Sequence, residues 1–157
     1  QKLNNINIEF NNKNVLLVDD SIVRGNTSKQ IIKMARDAGA KKVFFASASP
    51  PIRYPNVYGI DMPYVKELVA YDRNIEQIAD QIGADRLIYQ DLDDLILAVK
   101  ENNKSIDSFD SSCFDGKYIT GNITEAYLKK LHDKRNDTAK QEDMEEDQIL
   151  DLHNDSA

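Results

Sequence analysis

Two adjacent carboxylates, Asp19 and Asp20, close an apolar run, and shortly after them Gly25 opens a polar stretch of Asn26, Thr27 and Ser28. Paired acids can hold Mg²⁺, which prefers hard oxygen ligands, or accept from sugar hydroxyls. They can also stabilise positive charge developing on a reacting ring. A glycine takes backbone angles denied to other residues, and N–H groups leading into a helix N-terminus make an anion cradle. The hydroxyls of Thr27 and Ser28 would complete that cradle. Carboxylates on one side and a phosphate nest on the other suit a small molecule carrying both hydroxyls and phosphate. Two other readings of the pair compete. A metal-held phosphoryl relay would need an accepting Asp at the end of a later strand, yet "VFFASASP" ends in Ala, Ser and Pro. A nucleotide loop of the Gly-Lys-Ser/Thr kind is missing after Gly25. An isolated Asp-Asp pair more often simply ends a strand and begins a turn; the attached glycine loop and helix start reverse that preference here.

These groups need a strand to carry the acids and a helix to present the donors. "NVLLVD" (14–19) is a continuous apolar run, the pattern of a strand covered on both faces in a parallel sheet. "TSKQIIKMARDAGA" follows, with Ile31, Ala35 and Ala38 on one stripe, a polar cap at Asn26 to Ser28 and Gly39 as a stop signal. "KKVFFASASP" (41–50) is the next strand, closed by Pro50 and Pro51. The long loop "PPIRYPNVYGIDMP" leads to short helices around 64–70 and 74–82. "RLIYQ" (86–90) is a third strand, and "DLDDLILAVK" (91–100) a helix whose acidic first turn suits its dipole. A short extended piece is expected over 113–120 and a charged helix over 124–137. The alternation predicts an α/β fold, a parallel sheet with crossover helices. Ligands of such sheets bind beyond the carboxyl ends of the strands, where Asp19 and Asp20 stand.

Composition narrows the class. The 157 residues, 41% apolar, suit one domain with a sizeable core. No long apolar run and no basic-then-apolar leader is present, which points to a cytoplasmic protein with no membrane partner. The single cysteine, Cys113, rules out an internal disulfide and offers no pair for zinc. The net charge of −7 sits in the last seventeen residues, "QEDMEEDQILDLHNDSA", whose seven acids leave 20 acids against 20 bases elsewhere. A neutral body with an acidic tail carries no footprint for nucleic acid. The opening, from Gln1 rather than Met, reads as connector (1–13) from a missing upstream part. Residues 14–121 then read as the folded domain and 122–157 as a C-terminal helix and acidic tail. His132 and His153 fall in the charged helix and the tail, where nothing marks either as a ligand.

"VLLVDDSIVRGNTS" resembles the phosphoribosyl pyrophosphate signature of type I phosphoribosyltransferases. "ASASPPIRYPNVYGIDMP", "IGADRLIYQDLDDLI", "CFDGKYITG" and "RNDTAK" are similar, in that order, to segments of the bacterial amidophosphoribosyltransferase family. The resemblance covers nearly the whole chain and implies the C-terminal half of a phosphoribosyltransferase domain. The implied reaction moves glutamine-derived ammonia onto C1 of phosphoribosyl pyrophosphate. It yields 5-phosphoribosylamine and pyrophosphate in the first committed step of purine synthesis. The ammonia would come from a missing N-terminal glutaminase domain, and purine nucleotides are the implied inhibitors of a homo-oligomeric full-length protein. By the same resemblance Asp19 and Asp20 are the catalytic and metal-binding residues, holding Mg²⁺ and the ribose hydroxyls. Ser21, Ile22, Val23, Arg24, Gly25, Asn26 and Thr27 join them as substrate-binding residues around the 5′-phosphate. Asn26 stands where the family usually has Thr. Some members hold an iron–sulfur cluster, but Asp110 and Asn56 occupy two of the cysteine positions here, so no cluster is expected and Cys113 reads as a packed thiol. Arg53 and Tyr54 read equally as ligand contacts or surface residues, and Asp61 and Pro63 fall in the family's nucleotide-responsive region. The alternatives are another type I phosphoribosyltransferase, or a module that senses phosphoribosyl pyrophosphate without turnover.

Overall fold

A computed structural model describes residues 9–60, 62–106, 108–131 and 133. The chain divides into two compact units, Gln1–Ile119 and Thr120–Ala157. In the first, three strands form a parallel sheet in the order β1 (Asn14–Asp19), β2 (Lys42–Ser47), β3 (Arg86–Tyr89). Val15 lies opposite Val43, and Phe45 opposite Leu87. Helix α1 (Asn26–Asp37) crosses from β1 to β2, and α2 (Ile75–Ile82) precedes β3. A 3-10 turn, Val65–Glu67, lies in the connection between β2 and α2. The α/β parallel sheet with crossover helices is the architecture expected from the alternating pattern.

The core lies on one face of this sheet. Val15, Val43, Phe45 and Leu87 point to that face because side chains alternate along a strand, and α1 and α2 cover them with Ile32, Ala35, Ile78, Ala79 and Ile82. The buried stripe of α1 is Ser28, Ile32 and Ala35, an i, i+4, i+7 series. Ile31, expected on that stripe, lies at its margin and is 36% exposed. The opposite face of the sheet departs from expectation. Leu16 and Val18 of β1 and Ile88 of β3 are exposed, Val18 at 71%. The apolar run does encode a strand suited to burial on both sides, but the described residues supply cover for one.

Local signals account for the element ends. Asn74 caps α2 by accepting from the Gln77 N–H while the Gln77 side chain accepts from the Asn74 N–H, a reciprocal capping box. Asp91 caps α3 (Leu92–Asn102) by accepting from the N–H groups of Asp93 and Asp94. Gly39, at φ 86°, follows the end of α1. The extended piece expected from residue 113 is instead opened by a short helix, α4 (Ser112–Asp115). Apolar content alone missed its polar frame: the Asp110 carboxylate accepts from the Ser112 N–H, and Gly116 closes the turn at φ 72°. In the second unit residues 125–131 are helical, and the Thr124 hydroxyl accepts from the Tyr127 N–H at 3.2 Å. Apart from Asp133, the remainder of the expected charged helix, with His132, His153 and the acidic tail, lies outside the described residues, as does Asp61.

Candidate functional site

β1 ends by delivering its two acids to the carboxyl edge of the sheet. The Asp20 N–H donates to the Asp19 carboxylate at 3.0 Å, and the Ser21 hydroxyl donates to the Asp20 carboxylate at 3.1 Å. Asp20 is exposed and Asp19 half-buried, so both keep carboxylate oxygens available for a ligand. The chain then dips once into the core. Ile22, expected among the ligand contacts, is 1% exposed and packs in the main apolar cluster. Its side chain anchors the loop instead of facing the site. Every other residue from Asp19 to Ser28 lines an open cleft of about 480 Å³, within the range of small-molecule sites.

Gly25 decides how the helix begins. It is the residue before α1, at φ 80°, and it contributes no side-chain cap. A Ser, Thr or Asp there would consume one of the first-turn donors. Glycine leaves the opening N–H groups of the helix, which have no acceptor within the helix itself, without a side-chain cap on residues that line the cleft. Asn26 was expected to cap; it is instead the first residue of α1, and no side-chain cap bond is made. Thr27 is exposed beside it. The sequence-predicted carboxylates and donors therefore meet around one cleft.

The wall behind the loop was not anticipated from the sequence. The Val69 N–H donates to the Val23 carbonyl at 2.8 Å, and a Cβ added at Gly25 would lie 3.0 Å from Val69 Cγ2 and 3.2 Å from Ile82 Cγ2. Leu68, Val69 and Ala70 are buried, so the segment after the 3-10 turn acts as a mould for the loop. The sequence had suggested a short helix around 64–70; the structure has only the 3-10 turn Val65–Glu67, followed by this buried segment. At the rim, Arg24 Nε donates to the Glu67 carboxylate at 2.7 Å. Arg53, left open between ligand contact and surface residue, donates to the carbonyls of Ala70 and Arg73 at 2.7 and 2.9 Å. It ties the 50s loop to the end of that same wall.

Cys113 is packed in this loop cluster. Its carbonyl accepts from the N–H groups of Arg53 and Tyr54, and its thiol touches Met62 Sδ at 3.6 Å and the Asn56 amide at 3.8 Å. Burial pushes its pKa up, against the opposing Asn56 contact. Asn56 is itself buried, its carbonyl oxygen accepting from the N–H groups of Tyr58 and Ile60. Among the described residues, no three His, Cys, Asp or Glu side chains converge as a metal cage. The Asp19–Asp20 pair is thus a two-carboxylate donor set. Nor is any helix among the described residues long and apolar enough to cross a membrane.

Comparison with known proteins follows this geometry. No protein-family model matches the chain. The amidophosphoribosyltransferase of Pseudomonas aeruginosa is 57% identical over 155 residues, covering 99% of this chain and 31% of the relative. That of Pasteurella multocida is 58% identical over 154 residues, covering 98% and 31%. Among solved structures, the glutamine phosphoribosylpyrophosphate amidotransferase of B. subtilis, complexed with ADP and GMP, superposes with a TM-score of 0.63 at 36% identity, over 78% of this chain and 28% of that one. The chain spans about a third of the length of the relatives it matches. On sequence and fold together, it belongs to the amidophosphoribosyltransferase family.

Proposed function

We propose that this chain forms the ribose-5-phosphate side of a phosphoribosyltransferase site. In the complete protein, that site would transfer glutamine-derived ammonia to C1 of phosphoribosyl pyrophosphate. The observation that supports this reading is one cleft lined both by the two carboxylates at the end of β1 and by the residues of the uncapped N-terminus of α1. The 5′-phosphate fits the donors from Val23 to Thr27 and the Thr27 hydroxyl. The carboxylates of Asp19 and Asp20 fit the ribose hydroxyls.

The chemistry follows from charge. Loss of pyrophosphate builds positive charge on the ribose ring, and fixed carboxylates beside it stabilise that charge. Ammonia needs no general base from this segment once it is aligned. Asp19 and Asp20 would also hold Mg²⁺, whose preference for carboxylate and phosphate oxygens matches this donor set and whose charge offsets that of the leaving group. The same reading places the protein in the cytoplasm, takes 14–121 as the transferase segment, and assigns purine nucleotides as inhibitors. The ADP and GMP of the B. subtilis structure agree with the last point.

The test is Asp19→Asn and Asp20→Asn in the complete protein. The amide preserves shape and removes charge, so each variant is expected to lose transferase rate by about 2–4 kcal/mol of barrier, while glutamine hydrolysis persists. Unchanged transferase turnover in both would show the pair to be structural.

A further inference from the structure

The ion pair between Arg24 and Glu67 has no part in the chemistry above, yet it sits at the rim of the cleft. Both side chains are about half exposed, 54% and 43%. A pair so open to water contributes little to folding stability. Its consequence is geometric. Glu67 accepts from Nε of Arg24 at 2.7 Å, which leaves the two terminal guanidinium nitrogens as the donors able to meet an anion. The support on both sides is stiff. Glu67 belongs to the 3-10 turn Val65–Glu67, the next two residues are buried, and Val69 is bonded to Val23, the residue before Arg24. An arginine on a loop otherwise samples many rotamers, and ordering it on binding costs affinity.

We propose that Glu67 is a positioning residue. It holds the Arg24 guanidinium by Nε so that its free edge serves the phosphate groups of the ligand. This rests on the reading of the cleft as a sugar-phosphate site and adds to it a residue 43 positions away in sequence. Glu67 itself would repel an anion, so its benefit exists only through Arg24. That dependence separates the proposal from a general structural role.

The experiment uses the complete protein with Glu67→Ala, Glu67→Gln, Arg24→Ala and the Arg24→Ala/Glu67→Ala double variant. Binding of ribose 5-phosphate is followed by calorimetry, and KM and kcat for phosphoribosyl pyrophosphate are measured separately. Glu67→Ala is expected to weaken ribose 5-phosphate binding about three- to tenfold, and to have no further effect once Arg24 is removed. KM should rise by a larger factor than kcat falls. Glu67→Gln keeps an oxygen to accept from Nε and should restore most of the affinity. Tighter binding by Glu67→Ala would show that Glu67 sequesters Arg24 from the ligand, and overturn the proposal. An equal loss with and without Arg24 would also overturn it, by making Glu67 merely structural. Wild-type protein that binds ribose 5-phosphate without phosphoribosyl transfer would sink the functional reading alone; no binding at all would sink both.

Discussion

At the scale of single residues, Gly25 carries two requirements. Its φ of 80° strains any side chain, and an added Cβ would press on Val69 and Ile82. The left-handed conformation costs roughly 1–2 kcal/mol for an L-residue, and the crowding falls on core atoms that can yield little. Gly25→Ala should therefore lower stability by about 1–3 kcal/mol as well as weaken phosphate binding. Denaturant unfolding and ribose 5-phosphate titration would measure the two losses separately, and an unperturbed midpoint would show that the loop can relax away from Val69. Cys113 yields a second expectation. One thiolate cannot hold an iron–sulfur centre, and this thiol already packs between Asn56 and Met62. Purified complete protein is expected to be colourless and free of stoichiometric iron. A visible absorption band with bound iron would refute this. The placement of Asp19, Asp20 and Gly25 around one cleft was legible from residue type and spacing. Glu67 was not, because a lone Glu in a charged stretch carries no mark until the fold brings it to Arg24.

At the scale of elements, Asp85 joins three of them. Its carboxylate accepts from the Val43 N–H of β2 at 2.7 Å and from Arg36 of α1 at 2.9 Å, just ahead of β3. Arg36 also donates to the Gly83 carbonyl that ends α2. The Val43 N–H, followed by the Arg36 side chain, holds the Asp85 pKa below its ordinary value, against partial burial. A carboxylate with a depressed folded-state pKa stabilises the fold above its unfolded value and loses that contribution as pH falls through the folded one. Asp85→Ala should thus cost no more than about 1 kcal/mol at neutral pH, since the residue is largely open to water, with the gap to wild type closing below about pH 4. Thermal melts of both proteins at pH 7 and pH 3 would check it; a gap independent of pH would assign the effect to packing. Strands β1 to β3 and the longer helices were readable because apolar runs and caps are local signals. Helix α4 was missed because it is set by polar side chains around Ser112, in a stretch that apolar periodicity does not describe.

At the scale of the molecule, the sheet is only half covered among the described residues. Leu16, Val18 and Ile88 form an exposed apolar face, and among the described residues β1 and β3 each present an unpaired edge. Open edges and apolar patches of this kind invite association. The 157-residue chain expressed alone is expected to self-associate in a concentration-dependent way, and Val18→Lys to reduce that association without changing its far-ultraviolet dichroism. Sedimentation velocity would read both, and a monodisperse monomer at high concentration would contradict the expectation. The same chain should make no phosphoribosylamine from free ammonia and Mg²⁺, because the cleft lined by the end of β1 and the start of α1 is open to water, which a site that builds positive charge on a sugar ring must exclude. Steady product formation would show that these residues contain a complete site.

The sequence by itself determined the α/β class, the strand that ends at Asp19 just before Asp20, the glycine that starts α1, and the family. Each is written in neighbouring residues: apolar runs select strands, glycine selects a left-handed angle, and an ordered set of motifs survives as a string. Tertiary structure alone decided that Ile22 anchors in the core, that Arg53 spends its donors on the Ala70 and Arg73 carbonyls, and that one sheet face lacks cover among the described residues. It alone also decided that Glu67 grips Arg24 and that Val69 backs Gly25. These contacts join residues about 20 to 60 positions apart, and only chain packing, which no local pattern encodes, brings their atoms together.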